Sequence, residues 1–260
     1  MAAILEEIRG LVDTGYQEIV LTGVNIGDFV DGENRLGDLV RAVDAIDGIK
    51  RLRLSSINPN EIDNVLFEAL VTGRTTSHAL HLVLQSGSNA VLQRMRRLYT
   101  REQYLAIVDR FVQRCPDWTI STDVIVGFPG ETEEDFAATL DVIRTAKHIK
   151  VHMFPYSVRP RTLAARSIDR VSPATIKRRK HHLLEVADAV AFERRQSFVG
   201  QTMEVLVEDS GESGFVRGQT SNGLQVVLPQ ASVEPNTMVL VRLEQNSSCE
   251  LIGTIIGSAS

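Results

Sequence analysis

Five polar, glycine-rich stretches punctuate the first two thirds of the chain: Thr22-Gly23-Val24-Asn25, Ser55-Ser56, Gln85-Ser86-Gly87-Ser88, Asp123 to Gly127, and Pro155-Tyr156-Ser157. Their hydroxyls, amides and accessible backbone groups are suited to holding an amino acid's ammonium and carboxylate, or a ribose. Binding of a small polar metabolite or nucleotide is the chemistry they point to. Gly, Ser, Asn and Pro are also simply the residues that turns require. Other chemistries find less footing. Ser86 and Ser88 have no visible His and acid partner for nucleophilic hydrolysis. Gly127, Gly130 and Glu131 are not followed by the lysine and hydroxyl of a phosphate loop. His81 lies inside an apolar run, where it reads as a satisfied core imidazole or as a ligand or base. The two cysteines, Cys115 and Cys249, lie far apart. They exclude a disulfide scaffold and any self-contained cluster or zinc site built from three or four closely spaced thiolates, so no metal site is expected.

The elements that must position these loops follow from apolar spacing. Ile4 to Thr14 reads as a helix with Ile4, Leu5, Ile8, Leu11 and Val12 on one face, stopped at Gly15. Five short apolar runs read as strands: 18–22, 51–55, 80–84, 120–126 and 150–156. Amphipathic helices separate them over about 36–45, 61–70, around Val91 to Met95, up to Arg114, and from Thr132 onward. Thr100 with Gln103, and Thr132 with Asp135, have the spacing of capping boxes. This βαβα rhythm is that of a parallel sheet, whose ligand site gathers at the carboxyl ends of its strands. All five polar stretches fall there. Ser172-Pro173 opens a long helix running to about Phe198. After Gly200 five short alternating runs between Gly, Asn, Ser and Pro turns read as a small antiparallel β-barrel.

Composition sets the outer limits. The 260 residues are 43% hydrophobic and 23% charged, which fits an ordinary globular protein with room for a large domain and a smaller one. No apolar run approaches the roughly 18 residues needed to span a bilayer. The start, MAAILEEIRG, lacks a basic region and does not read as a secretory signal, so a cytoplasmic address is expected. The net charge of -5 argues against blanket coating of nucleic acid, leaving local basic patches. Arg94, Arg96 and Arg97 near Tyr99 form one such group, and Arg178, Arg179 and Lys180 another. Each reads as a phosphate contact or as a solvated helix face. Arg159 and Arg161 stand beside the end of the fifth strand, where an anionic ligand would meet them.

Six motifs in order carry a family resemblance: 19–27 (IVLTGVNIG), 53–56 (RLSS), 84–88 (LQSGS), 95–100 (MRRLYT), 123–132 (DVIVGFPGET) and 154–157 (FPYS). Together they resemble the methylthiotransferase branch of the radical S-adenosylmethionine (SAM) enzymes, over nearly the whole chain. His152 to Ser157 is most similar to the enzymes that thiomethylate threonylcarbamoyladenosine beside the tRNA anticodon. The isopentenyladenosine and ribosomal-protein enzymes are the alternatives. The tail resembles the TRAM domain, an OB-like RNA-binding barrel.

The resemblance implies an α/β fold, a partial (β/α)6 radical SAM barrel over 1–170, a connecting helix over 171–198 and a TRAM-like barrel over 199–257. It implies SAM across the strand ends, with Thr22, Gly23 and Asn25 at its amino group, Ser55, Gln85 and Ser86 at its polar atoms, and Asp123 and Tyr156 at its ribose and adenine. It implies a tRNA anticodon stem-loop as partner, with Arg96, Arg97, Arg159, Arg161 and Arg217 as candidate contacts. In such enzymes a CxxxCxxC loop after the first strand holds the [4Fe-4S] cluster that cleaves SAM, and a second cluster belongs to an amino-terminal domain. No CxxxCxxC occurs here, and neither cysteine matches a ligand position. The expectation is therefore a carboxy-terminal portion, lacking the cluster loop and the first barrel strand, and inactive alone. An uncovered first-strand edge would then favour self-association. The alternative of another class is a non-catalytic SAM- or RNA-binding remnant. From Glu193 onward the only cations are Arg194, Arg195, Arg217 and Arg242, so RNA affinity there would depend on local placement.

Overall fold

The computed structural model describes residues 1–209, 215–229 and 233–259. The first part runs α1 (Ala2–Asp13), β1 (Glu18–Leu21), a short hairpin of β2 (Val30–Asp31) and β3 (Asn34–Arg35), α2 (Leu36–Asp44), β4 (Arg51–Leu54), α3 (Asn64–Thr72) and β5 (Ala79–His81). It continues with α4 (Asn89–Arg94), α5 (Arg101–Arg114), β6 (Thr119–Val126), α6 (Glu133–Thr145), β7 (Lys150–Pro155) and α7 (Pro173–Gln196). β1 pairs with β4, and β5 with β6 and β6 with β7, all parallel. Single bridges from Leu52 to Thr76 and from Ile57 to Leu82 join the two groups, giving the order β1-β4-β5-β6-β7. Parallel neighbours need crossover connections, which the helices provide.

Alternation along β6 shows how the layers form. Ile120, Thr122, Val124 and Val126 are buried, while Ser121, Asp123 and Ile125 are only partly covered. One face of the sheet therefore packs under the helices and the other is a polar-lined concavity. Both expected capping boxes are present, at Thr100/Gln103 and Thr132/Asp135, and Ser172 caps α7 with Pro173 at its first position. Two elements of this first part differ from expectation. Pro59–Glu61 forms a separate 3-10 turn closed by Asn58 and Glu61, so α3 begins only after Asp63, whose side chain caps Leu66 N. The third strand stays regular only to His81, and Leu82 to Gln85 continue by isolated bridges, with Gln85 at φ 62° ending the extended run.

β8 (Thr202–Asp209), β9 (Phe215–Thr220), β10 (Gln225–Pro229), β11 (Met238–Asn246) and β12 (Leu251–Ser258) close a barrel in the order β10-β12-β11-β8-β9, antiparallel as expected except where β10 and β12 pair parallel to close it. Its core includes Phe198, Val205, Val226, Val241 and Leu251. The barrel docks at the amino ends of the parallel strands. Arg51 and Arg53 donate to the backbone and side-chain oxygens of Gln219, and Thr119 Oγ1 donates to Asn222 O at 2.6 Å. Asn222 Nδ2 donates to Asp117 O at 2.9 Å. Gly223, at φ 78°, lies so close to Ala79 that a Cβ would stand 2.9 Å from the alanine methyl; this turn position needs glycine on both counts. Among the described residues, no helix is long and apolar enough to cross a membrane.

Candidate functional site at the strand carboxyl ends

The carboxyl-end loops pack on one another. Gly27, after β1, lies so close to Glu61, after β4, that a Cβ would overlap its side chain at 2.3 Å. Asn58 and Glu61 hold this second loop together, and Arg97 Nη1 donates to Asn58 Oδ1 at 3.2 Å. Thr22, Gly23 and Asn25 are exposed beside it, with Asn25 donating to Asp28. On the other flank Gly127 sits at φ 81° with Ile176 of α7 against it. Glu131 accepts from Gly127 N at 2.8 Å and from Arg179 Nη1 at 2.7 Å, and this ion pair is 1% and 3% exposed. Burial raises the Glu131 pKa despite the guanidinium. Arg179, read in sequence as one of a cationic surface group, is instead the buried pin that ties α7 to the Gly127 loop. Arg94 likewise donates to Gly130 O at 3.1 Å.

Among the described residues, four buried side-chain atoms at this end lack a hydrogen-bond partner: Ser55 Oγ, Gln85 Oε1 and Tyr156 Oη at the strand ends, and Arg179 Nε beside the ion pair on α7. Buried polar groups are normally paired, because leaving one unpaired costs about 1 to 3 kcal/mol. The backbones of the three strand-end residues are not free. Ser55 N donates to Leu21 O, Gln85 N to Asp123 O, and Tyr156 N to Val126 O, which fixes all three at strand ends. Phe128 packs edge-on to Tyr156 at 5.3 Å and steadies its ring. Fixed, unpaired polar atoms at a strand mouth suit a polar ligand. Ser86 differs: fully buried, its hydroxyl lies 3.4 Å from Thr139 Oγ1 and accepts from Ser88 N, so it braces the loop.

Deeper in the concavity His81 Nε2 lies 3.3 Å from Asp123 Oδ1, and His81 Nδ1 lies 3.0 Å from Ser121 Oγ. His152 stands 5.6 Å from His81 between ring centres. Burial, with Lys150 and His81 nearby, lowers the His152 pKa, so it is neutral at neutral pH. In the sequence His152 stands out only as part of the 152–157 motif; its strand register opposite Asp123 is what brings it here. The candidate arginines divide. Arg96, Arg159 and Arg161 are exposed in loops at the carboxyl-end rim, and Arg97 is partly covered there. Arg217 lies two residues from Gln219, on the strand docked at the amino ends, and pairs with Glu250 at 3.3 Å. It is not part of the same rim.

SAM fits the donor set here, on the ground of those three unpaired strand-end atoms. A thiolate-held [4Fe-4S] cluster does not. Cys115 lies at the opposite, amino-end side before β6, and Cys249 is exposed in the barrel's β11–β12 turn.

Parallel strands under helices, with a polar mouth at their carboxyl ends, define an α/β domain. The family model of the radical SAM superfamily matches residues 1–143, and the chain belongs to that superfamily. Threonylcarbamoyladenosine tRNA methylthiotransferase MtaB of Chlamydia pneumoniae is 43% identical over 97% of this chain and 60% of that protein. The tRNA-2-methylthio-N(6)-dimethylallyladenosine synthase of Acidothermus cellulolyticus is 38% identical over 98% of this chain and 53% of that protein. The chain thus spans little more than half the length of these relatives. The structure of coproporphyrinogen III oxidase from Escherichia coli, a radical SAM enzyme, shares the fold with a TM-score of 0.58 at 12% identity, over 99% of this chain and 64% of that one.

Proposed function

We propose that this chain is the SAM-cradling and RNA-docking portion of a tRNA methylthiotransferase acting on threonylcarbamoyladenosine next to the anticodon. The observation that carries the reading is the set of unpaired atoms Ser55 Oγ, Gln85 Oε1 and Tyr156 Oη at the strand mouth. Identity of 43% to a protein named for that substrate, against 38% for a dimethylallyladenosine enzyme, supports the choice of nucleoside. When bound, SAM would supply the methyl group and the radical chemistry of the superfamily. The residues here bind and orient it: Ser55, Gln85 and Tyr156 directly, with Thr22, Gly23 and Asn25 at the loop beside them and Asp123 held by His81. Cluster ligands lie outside these residues, so the chain alone is inactive. The closed barrel over 199–257 acts as a TRAM domain, and the rim arginines Arg96, Arg97, Arg159 and Arg161 meet phosphates. β1 has β4 as its one hydrogen-bonded neighbour among the described residues, which leaves an edge that a further strand or a second copy could cover. A cytoplasmic location suits a tRNA substrate.

The count of two cysteines favours a second reading, a binding remnant without catalysis. Titration with SAM and with an anticodon stem-loop tests the proposed binding. Binding of both, with Arg96→Ala and Arg159→Ala each lowering the salt dependence by about one counterion per lost phosphate contact, is expected. Failure to bind either ligand would overturn both readings. Assembly with a separately supplied amino-terminal region that restores methylthio transfer would favour the first over the second.

A further inference from the structure

A second polar cluster lies at the other end of the sheet, outside the site just described. His78 directly precedes β5, and Cys115, Pro116, Asp117 and Trp118 form the turn between α5 and β6. Because β5 and β6 are adjacent, with Thr119 N donating to His78 O, residues 37 and 39 positions apart come together. Asp117 Oδ1 lies 2.8 Å from Cys115 Sγ and 2.9 Å from His78 Nδ1, and Cys115 Sγ lies 3.7 Å from the same nitrogen.

The arrangement is not a nucleophilic relay. A Cys-His-Asp relay places thiol and carboxylate on opposite imidazole nitrogens, whereas here both meet Nδ1. All three donor atoms instead converge, within 4.8 Å of one another. Tetrahedral zinc with bonds of about 2.0 to 2.3 Å holds its donors roughly 3.3 to 3.7 Å apart. Opening the two hydrogen-bonded distances by about half an ångström would reach that geometry. The backbone behind the donors is already held. Arg194 donates to Pro116 O at 2.7 Å and to Trp118 O at 2.9 Å, Asn222 donates to Asp117 O, and Trp118 stacks on the His78 ring at 5.1 Å. Such outer partners orient metal ligands. His78 and Asp117 side chains are 28% and 34% exposed, which leaves a path for the ion and room for a water as fourth ligand.

We propose that His78 Nδ1, Cys115 Sγ and Asp117 Oδ1 form a zinc site that staples the amino ends of β5 and β6 where the small barrel and α7 dock. On binding, the Cys115 S–H bond breaks and its proton leaves to solvent. A sulfur–zinc bond forms, and neutral imidazole and ionised carboxylate each donate an electron pair. One thiolate and one carboxylate balance the ion's charge, which suits a half-buried position. Sulfur and imidazole select zinc over magnesium or calcium. Three ligands and a water also occur in catalytic zinc centres, but this one faces away from the strand mouth, and its role is structural.

The test is titration of the reduced, chelator-treated chain with cobalt(II) as spectroscopic probe, followed by displacement with zinc. Expected are one equivalent bound, a sulfur-to-cobalt charge-transfer band, and a zinc-dependent rise in melting temperature. Cys249→Ser should keep all three and Cys115→Ser should lose them, while His78→Ala should weaken binding on the order of a hundredfold. If Cys115→Ser does not fold, Asp117→Asn serves instead, with a weakened but still sulfur-ligated cobalt spectrum expected. Absence of a charge-transfer band in the wild-type chain, or its loss in Cys249→Ser but not in Cys115→Ser, would overturn the proposal.

Discussion

The two ends of the parallel sheet solve the same problem in opposite ways. Both expose strand termini rich in polar residues. At the amino ends those groups are largely answered from within the chain: Arg51 and Arg53 by Gln219, Thr119 by the Asn222 carbonyl, and the Asp117 carbonyl by the Asn222 amide. At the carboxyl ends Ser55, Gln85 and Tyr156 are held as firmly by their backbones, yet their side-chain polar atoms are unanswered. The contrast is one of degree, since Arg51 Nη2, Trp118 Nε1 and His148 Nδ1 also lack partners near the amino ends. It separates a surface finished by a second domain from one left open, where the proposed ligand would sit.

The largest expected effect comes from cutting the tie that shapes the carboxyl end. Arg179→Ala leaves Glu131 buried without its partner, which should cost about 3 to 5 kcal/mol in chemical denaturation. The penalty should fall away if Glu131→Gln is combined with it.

Acid should act next, and from the amino side. His148, fully buried before β7 and 2.6 Å from Tyr104 Oη, has its pKa lowered to about 4 by burial. The unfolded chain binds that proton more readily, so this contribution is fully present above the unfolded value near 6.5 and is lost as pH falls through 4. About 3 kcal/mol should disappear over that window. Denaturation of the wild type and of His148→Gln at pH 7 and pH 4.5 checks it; the gap between them should narrow in acid.

Asn222→Ala removes the amide that answers Asp117 O, and the acceptor for Thr220 Oγ1 at 2.6 Å. A loss of about 1 to 3 kcal/mol is expected. Ser55→Ala should have the smallest effect on stability, between no change and a gain of about 1 kcal/mol, because no existing bond is broken. Its cost should fall on SAM, with affinity reduced about tenfold, equivalent to about 1.4 kcal/mol. Equal stability losses in Asn222→Ala and Ser55→Ala would erase the distinction between the two ends.

Much of this was legible in the sequence, for local reasons. Capping boxes at Thr100 and Thr132 and the Ser172-Pro173 start depend on residues three apart or adjacent, and they fix helix origins. The five polar stretches could be placed at strand carboxyl ends from apolar alternation alone. What was not legible depends on long-range pairing. Arg178, Arg179 and Lys180 read as one cationic group, and only the packing of α7 against the Gly127 loop separates buried Arg179 from its neighbours. Ser86 read as a ligand residue because its loop is polar, whereas Thr139 on α6 closes over it. The expectation of no metal site came from counting thiolates. That count could not show that His78, Cys115 and Asp117 meet, because strand adjacency, not spacing, brings them together.

Hydrogen exchange of the chain with and without SAM shows which end of the sheet takes the ligand. Protection of backbone amides is expected at Thr22 to Asn25, Gln85 to Ser88 and Tyr156, with none at the Thr220 to Leu224 turn, and it should be lost in Tyr156→Phe combined with Ser55→Ala. Protection confined to the amino-end seam, or unchanged exchange at the strand mouth with SAM bound, would contradict SAM binding at the carboxyl ends.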